Sequence, residues 1–317
     1  VSRLILVFWC LLPSVAGAQE SWYRGNVHVH TNQSDGTSAP AEVVEWYSSH
    51  GYSFLVLTDH DVQTVTPELL ERFDSPGSFL LLPGVEVTDR VDGRPVHLNG
   101  LGVEHAVRPQ GGSDVTSVID RDISAIERAG GVAVLNHPNG LLSAALEADE
   151  IAASRVGLFE VCCADYLGGS GHPSTDEIWD DLLTGGRLLY GIAADDAHDF
   201  GPDSRDPGSG WIMVRAAELT GPAILSAIQE GDFYSTTGVT LTAIRRLPNG
   251  LCVEIAEYDS YGFRTEFIGP GGRVLHSDET GEPCFSRSNP PSYVRARVQR
   301  SDGAVAWVQP VMFGGPL

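Results

Sequence analysis

Gly25-Asn26-Val27-His28-Val29-His30, followed by Ser53-Phe54-Leu55-Val56-Leu57-Thr58-Asp59-His60, decides how this chain is read. Each is a short aliphatic run that ends in histidine, and between them a helical stretch opened by Pro40 after Ser38 reaches His50. A β-branched or aliphatic run, a polar turn and an amphipathic helix make one βα unit, and the rhythm repeats from residue 24 to about residue 215. Further strands are predicted at Phe79–Val87, Val96–Val103, Gly131–Leu135, Gly157–Cys162, Leu188–Ala193 and Trp211–Val214. Val118, Ile119, Ile123 and Ile126 form one helical face in Val115–Ala129, ended by Gly130. Ser174 and Glu177 are spaced as a capping box before Ile178–Thr184, and Gly185-Gly186 stops that helix. Eight strand candidates, not all parallel, predict an α/β barrel whose loops converge on one end.

Near Thr240 the rhythm changes. Residues 241–317 hold no convincing helix and read as short strands at Leu241–Ile244, Val253–Ala256, Thr265–Ile268, Arg273–Leu275, Tyr293–Gln299 and Ala304–Val308, with hairpin signals at Asn249-Gly250 and Asp302-Gly303. The expected organisation is a barrel over 19–240 and a small β-sandwich-like domain over 241–317, docked rather than tethered because no low-complexity linker intervenes. Residues 1–18 read as a signal peptide: Arg3, the apolar run Leu4–Val15 broken by Pro13, then Ala16-Gly17-Ala18 for cleavage. That run is too short to span a bilayer, so the mature chain is expected to be exported, periplasmic or secreted, without stable membrane insertion.

Of the 317 residues, 42 are acidic and 20 basic, a formal charge of −22 that repels phosphate backbones and argues against polymeric nucleic acid as a partner. In an oxidising compartment Cys252 and Cys284 can pair within the C-terminal strands. Cys162 and Cys163, in the apolar run Leu158-Phe159-Glu160-Val161-Cys162-Cys163, read as buried small hydrophobes.

His28 and His30, at i and i+2 of an extended run, face the same side and can share one cation. Asp35 follows in the next loop, His60 ends the second strand, Glu86 the third, His97 opens the fourth, His137 follows the fifth, and Asp196 and His198 repeat the i, i+2 spacing near the seventh. Six of the ten histidines thus fall at strand termini with three carboxylates among them, and that much ionisable chemistry in a barrel is costly without metal. Mixed imidazole and carboxylate donors suit Zn²⁺, Mn²⁺ or Fe²⁺, and nine donors suffice for two or three ions. Paired cations lower the pKa of a bound water, so a metal-bound hydroxide is the expected nucleophile toward a phosphoryl or carbonyl centre.

In order along residues 24 to 200, His28-Val29-His30, Ser34-Asp35-Gly36, Thr58-Asp59-His60, Gly84-Val85-Glu86, Val96-His97-Leu98-Asn99-Gly100-Leu101-Gly102, His137-Pro138 and Asp196-Ala197-His198 resemble the motifs of the PHP (polymerase and histidinol phosphatase) metallohydrolases. The resemblance implies a distorted (β/α)7 barrel with a trinuclear centre. Carried over by motif, it gives the first ion to His28, His30, Glu86 and Asp196, the second to Glu86, His97 and His137, and the third to Asp35, His60 and His198. The stretch from Trp179 to Ala197, with Tyr293-Val294-Arg295-Ala296-Arg297 and Ala306-Trp307, resembles an exported branch with a β-rich tail that includes carbaryl hydrolases.

Beyond the ligands, Asp59, His198 and Arg205 are the catalytic candidates: Asp59 to orient His60 or accept a proton, and Arg205 to meet an anionic group of the substrate. Asn136 and Asn139 flank His137 as supporting candidates. The leading reading is an exported phosphoesterase acting on a small-molecule ester. Its rivals are a carbamate or carboxylic ester hydrolase with the same centre, and a metal-containing protein whose β-rich unit binds a glycan or surface polymer.

Overall fold

The computed structural model describes residues 20–139, 146–163, 175–205, 207–256 and 258–314. The signal peptide expected at 1–18 and the capping residue Ser174 lie outside the described residues. Strands β1 (Ser21–Asn26), β2 (Phe54–Leu57), β3 (Leu80–Val91), β4 (Arg94–Leu101), β5 (Val132–Leu135), β6 (Leu158–Cys163), β7 (Tyr190–Ala194) and β8 (Trp211–Ala216) follow the predicted order. Between them stand helices α1 (Pro40–Ser49), α2 (Pro67–Phe73), α3 (Val115–Arg128), α4 (Ala148–Ala153) and α5 (Thr175–Thr184). A sixth helix, α6 (Gly221–Gln229), leads into β9 (Phe233–Thr236).

β2 shows why the run Phe54-Leu55-Val56-Leu57 is apolar throughout. Alternate residues of a strand face opposite sides of the sheet. Phe54 and Val56 enter an interior core with Val27, Leu82, Val134 and Ile192, while Leu55 and Leu57 pack under α1 with Val43, Val44 and Tyr47. Both faces are covered, so no position is left for a polar residue. Gly25 makes room for this packing, since a Cβ there would lie 2.0 Å from the Phe54 ring.

β1 runs parallel to β2 and β2 to β3, whereas β4 is antiparallel to both β3 and β5; β5, β6 and β7 are again parallel. β1, β2, β3, β5, β6 and β7 therefore point the same way. The expected closed barrel does not form among the described residues: the strand order is linear, with β7 at one edge. In place of a closing ladder, an isolated parallel bridge joins Val29 to Ala197, where the His30 N–H donates to the Ala197 carbonyl (3.0 Å) and the Asp196 N–H to that of His28 (3.0 Å).

The C-terminal strands are β10 (Leu241–Leu247), β11 (Gly250–Ile255), β12 (Phe263–Gly269), β13 (Arg273–Asp278), β14 (Cys284–Ser286), β15 (Tyr293–Arg300) and β16 (Val305–Met312). β16 pairs with β9, so β12, β13, β15 and β16 continue the main sheet to 13 strands. The three-stranded sheet β10-β11-β14 packs over this extension, enclosing Leu251, Val253, Phe267, Phe285, Val294 and Ala296. A disulfide joins Cys252 to Cys284, which face each other across β11 and β14. Cys162 is a buried free thiol pushed up to about 12 by burial. No helix among the described residues is long and apolar enough to cross a membrane.

Candidate metal centre

Residues drawn from 170 positions of sequence meet where the parallel strands end. β1 stops at Asn26, and its extended continuation carries His28 and His30. Val29 packs toward the α1 side, so its two neighbours face inward, with Nε2 atoms 3.1 Å apart. Glu86 lies within β3 rather than at its end, just past the last residue paired with β2, and His60 bridges to it from the end of β2. His97 stands on β4 opposite Thr88, His137 just beyond β5, and Asp196 and His198 just beyond β7.

All nine predicted ligands come together. Four groups hold donor atoms within 4.8 Å of one another: His30, Asp35, His60 and His198; His28, His137 and Asp196; His28, His30 and Glu86; and His60, Glu86 and His97. Glu86 is the hub. Its Oε2 lies 3.4 Å from His28 Nε2, 3.2 Å from His30 Nε2 and 3.0 Å from His60 Nδ1, and its Oε1 lies 3.1 Å from His97 Nδ1 and 3.4 Å from His137 Nε2. Asp196 Oδ1 is 3.0 Å from both His28 Nε2 and His30 Nε2. The half-exposed Asp35 lies 3.4 Å from His60 and from His198, at the open side of the cluster.

The charges are mutually dependent. Burial pulls His28 and His30 down, yet Asp196, Glu86 and, for His28, Glu160 outweigh it, holding His28 well above its usual pKa and His30 at about 10. Burial pushes Glu86 and Asp196 up, and the surrounding imidazoles overcome it and hold both below the usual carboxylate range. His60, nearer the surface, is lowered by burial. Such a set demands positive charge at its centre, supplied by protons or by cations. Among the described residues the buried Glu86 Oε2 has no hydrogen-bond donor aligned to it, only the crowded imidazole nitrogens, so the donor chemistry and this oxygen both fit divalent metal.

Supporting contacts fix the hub. The Asn136 Nδ2 amide donates to Glu86 Oε1 (2.8 Å) and to Asn99 Oδ1 (3.0 Å), and the Asn99 amide donates to the Val27 carbonyl (3.1 Å). His137 and Asp196 both adopt left-handed backbone conformations, with φ of 27° and 53°. Non-glycine residues hold that geometry at a cost of ~1–3 kcal/mol, and such strain concentrates at functional sites.

The remaining candidates separate. Asp59 makes no contact that orients His60; its carboxylate accepts from the Thr31 N–H (2.8 Å), Thr31 Oγ1 (2.8 Å), Ser34 Oγ (2.6 Å) and Thr64 Oγ1 (2.5 Å). It anchors the loop that brings Asp35 back over His30. Gly36 permits that fold, since a Cβ there would lie 2.8 Å from the His30 carbonyl. Arg205 is exposed, its carbonyl accepting from Ser209. Glu160, which sequence reasoning passed over, is buried on β6 with Oε1 2.6 Å from His28 Nδ1. The available signal was a single carboxylate inside an apolar strand.

No family model matches the chain. Over 82 residues, 26% of this chain and 28% of the relative, it is 32% identical to the 5'-3' exoribonuclease Rnm of Salmonella typhimurium. Over 84 residues, 25% of this chain and 30% of the relative, it is 37% identical to the phosphoribosyl 1,2-cyclic phosphate 1,2-diphosphodiesterase of Eggerthella lenta. The chain thus spans less than a third of the length of these curated relatives. In fold it is similar to a two-domain protein of Bacteroides vulgatus containing a predicted PHP-like metal-dependent phosphoesterase, with a TM-score of 0.52 and 15% identity over 98% of this chain and 100% of the other. That likeness defines a mixed α/β architecture with a large sheet, shared with a PHP-like protein.

Proposed function

We propose that this chain is a metal-dependent hydrolase of the PHP type whose substrate is a phosphoester. The buried Glu86 carboxylate amid six imidazoles and two further carboxylates carries the reading. The phosphodiesterase and exoribonuclease relatives support the phosphoester over other electrophiles. Two or three divalent ions would be held, with His28, His30, Glu86 and Asp196 to hold the first, Glu86, His97 and His137 the second, and Asp35, His60 and His198 the third. The groups His28, His30 and Glu86, and His30, Asp35, His60 and His198, support the first and third sites, whereas His97 groups with Glu86 and His60, and His137 with His28 and Asp196, so the second site rests on the motif resemblance. Zn²⁺, Mn²⁺ or Fe²⁺ bound there supplies Lewis acidity toward a phosphoryl oxygen and makes a coordinated water acidic near neutrality. Asn136 keeps the Glu86 carboxylate oriented, Asp59 keeps Asp35 over the cluster, and the buried inner residues exclude bulk water, leaving the Asp35, His60 and His198 side for substrate entry.

Export belongs to the same proposal, and the Cys252–Cys284 disulfide supports an oxidising compartment. A carbamate or carboxylic ester is the second substrate class, favoured by the resemblance to the exported branch. The test is metal analysis of the purified chain with nitrophenyl phosphate, bis-nitrophenyl phosphate, nitrophenyl acetate and a short RNA oligonucleotide assayed in parallel. Phosphoester turnover is expected, together with loss of bound metal and an activity drop of ~100-fold or more in His28→Ala and Asp196→Ala, beyond what losing an outer partner causes. Hydrolysis of the acetate alone reverses the substrate order, RNA cleavage overturns the exclusion of polymer drawn from charge, and full activity of either variant sinks the site.

A further inference from the structure

β6 alternates in an informative way. Leu158 enters the interior core, Phe159 and Val161 pack outward with α3 and α5, and Glu160 therefore faces inward, 1% exposed, beneath the cluster. The register of β6 against β7 shifts between Glu160 and Cys162, just after the glutamate. Each of its oxygens serves a different strand end. Oε1 lies 2.6 Å from His28 Nδ1, and Oε2 accepts the His137 backbone N–H at 2.7 Å.

Glu160 is absent from every group of converging donors among the described residues. It sits on the Nδ1 side of His28, while Nε2 of that ring faces Glu86 and Asp196. The His137 backbone it holds is the one with φ of 27°, and His137 Nε2 points at Glu86.

We propose that Glu160 is a positioning residue that presents two imidazoles to metal at once: it fixes the proton of His28 on Nδ1, which frees Nε2 as a donor, and it pins the left-handed His137 backbone so that its Nε2 reaches the same centre. This rests on the metallohydrolase reading. A carboxylate is required because both groups it meets are donors. A glutamine there has one accepting oxygen: turned toward His28 it sets its NH₂ against the His137 N–H, and turned toward His137 it donates to His28 Nδ1 and forces the proton onto Nε2.

The test uses the full chain, Zn²⁺ as the probe, and Glu160→Gln and Glu160→Ala beside the wild type. Metal-free samples are melted, Zn²⁺ affinity is measured by competition with a chelator, and the downfield imidazole N–H protons of the Zn²⁺-loaded proteins are followed by NMR. The wild type is expected to bind Zn²⁺ and show a slowly exchanging His28 Nδ1 proton. Both variants are expected to lose ~10–100-fold in Zn²⁺ affinity, as outer partners of metal ligands do, with that proton shifted upfield or lost. The Gln variant should melt close to the wild type, which separates positioning from a purely structural role. Wild-type Zn²⁺ affinity in both variants overturns the proposal and leaves the metallohydrolase reading intact. A melting temperature that falls in step with an unchanged affinity likewise overturns it. A wild type that binds no Zn²⁺ overturns the metallohydrolase reading itself, and this proposal with it.

Discussion

Asp59 sits next to His60 in the chain, and adjacency suggests that it serves that imidazole. In an extended segment neighbouring side chains leave on opposite faces, so Asp59 turns away from His60 into Thr31, Ser34 and Thr64. Four donors on one buried carboxylate make it the anchor of the loop holding Asp35. Asp59→Ala is expected to leave those donors unmatched and destabilise the fold by about 2–3 kcal/mol, read as a lowered urea midpoint. A midpoint unchanged from the wild type contradicts the anchoring role. Glu160 was missed for the converse reason: one acidic residue in an apolar strand shows no partner until His28 and His137 are brought beside it. The nine ligand candidates were legible because chemistry-bearing residue types recur at the ends of aliphatic runs, which needs no long-range information.

At the scale of elements, most strands and the longer helices follow from periodicity, and the misses are short or polar. β3 does not end at Val87 but runs to Val91, turning through Asp92 (φ 49°) and Gly93 (φ 85°) into β4. Two consecutive left-handed residues, aspartate then glycine, make the tight hairpin that matches strand twist. Helices α2, α4 and α6 and strand β9 escaped because packing rather than a long periodic face stabilises them. Helix α3 carries a feature with a pH signature. Asp122 lies on its buried face among Val118, Ile119 and Ile126, where Oδ1 accepts the Gln110 N–H (2.9 Å) and Oδ2 has no hydrogen-bond partner among the described residues. Burial, with Asp89 alongside, raises its carboxyl to about 7. The unfolded acid titrates near ~3.9, so between these values the folded chain binds the extra proton and stability falls as pH rises. Asp122→Asn imitates the protonated acid. Urea unfolding at about pH 8 is expected to show it more stable than the wild type by about 2–4 kcal/mol, with the gap closing toward about pH 4. Equal stability of the two proteins at the higher pH refutes the assignment.

At the scale of the whole molecule, the C-terminal strands are built into the main sheet and bonded to its helices. Arg295 of β15, 1% exposed, meets Asp180 through Nε (2.8 Å) and Nη2 (2.6 Å) and Asp176 through Nη1 (2.8 Å), both on α5. Gln309 exchanges hydrogen bonds with the Gly191 backbone of β7 (2.9 and 2.8 Å). Arg295→Ala leaves the buried Asp180 carboxylate with no cation among the described residues, its remaining donor being Tyr293 Oη, while Asp176 keeps Arg297 and the Trp307 N–H; the loss is expected to be about 3–5 kcal/mol, measured as a shared loss across near-UV circular dichroism and tryptophan fluorescence. A loss under about 1 kcal/mol shows that this contact does not hold the C-terminal strands to α5. The sequence alone determined the α/β class, the order of the first eight strands, the change of pattern near residue 240 and the nine residues of the candidate centre, because side-chain alternation and residue chemistry are local properties of the chain. Only the tertiary structure decided that a single bridge from Val29 to Ala197 stands in place of a closing ladder, that the later strands continue the sheet through β9, that Asp59 anchors a loop, and that Glu160 lies under His28 and His137. Each of those depends on which distant segments pair, and pairing is set by the packing of the whole sheet.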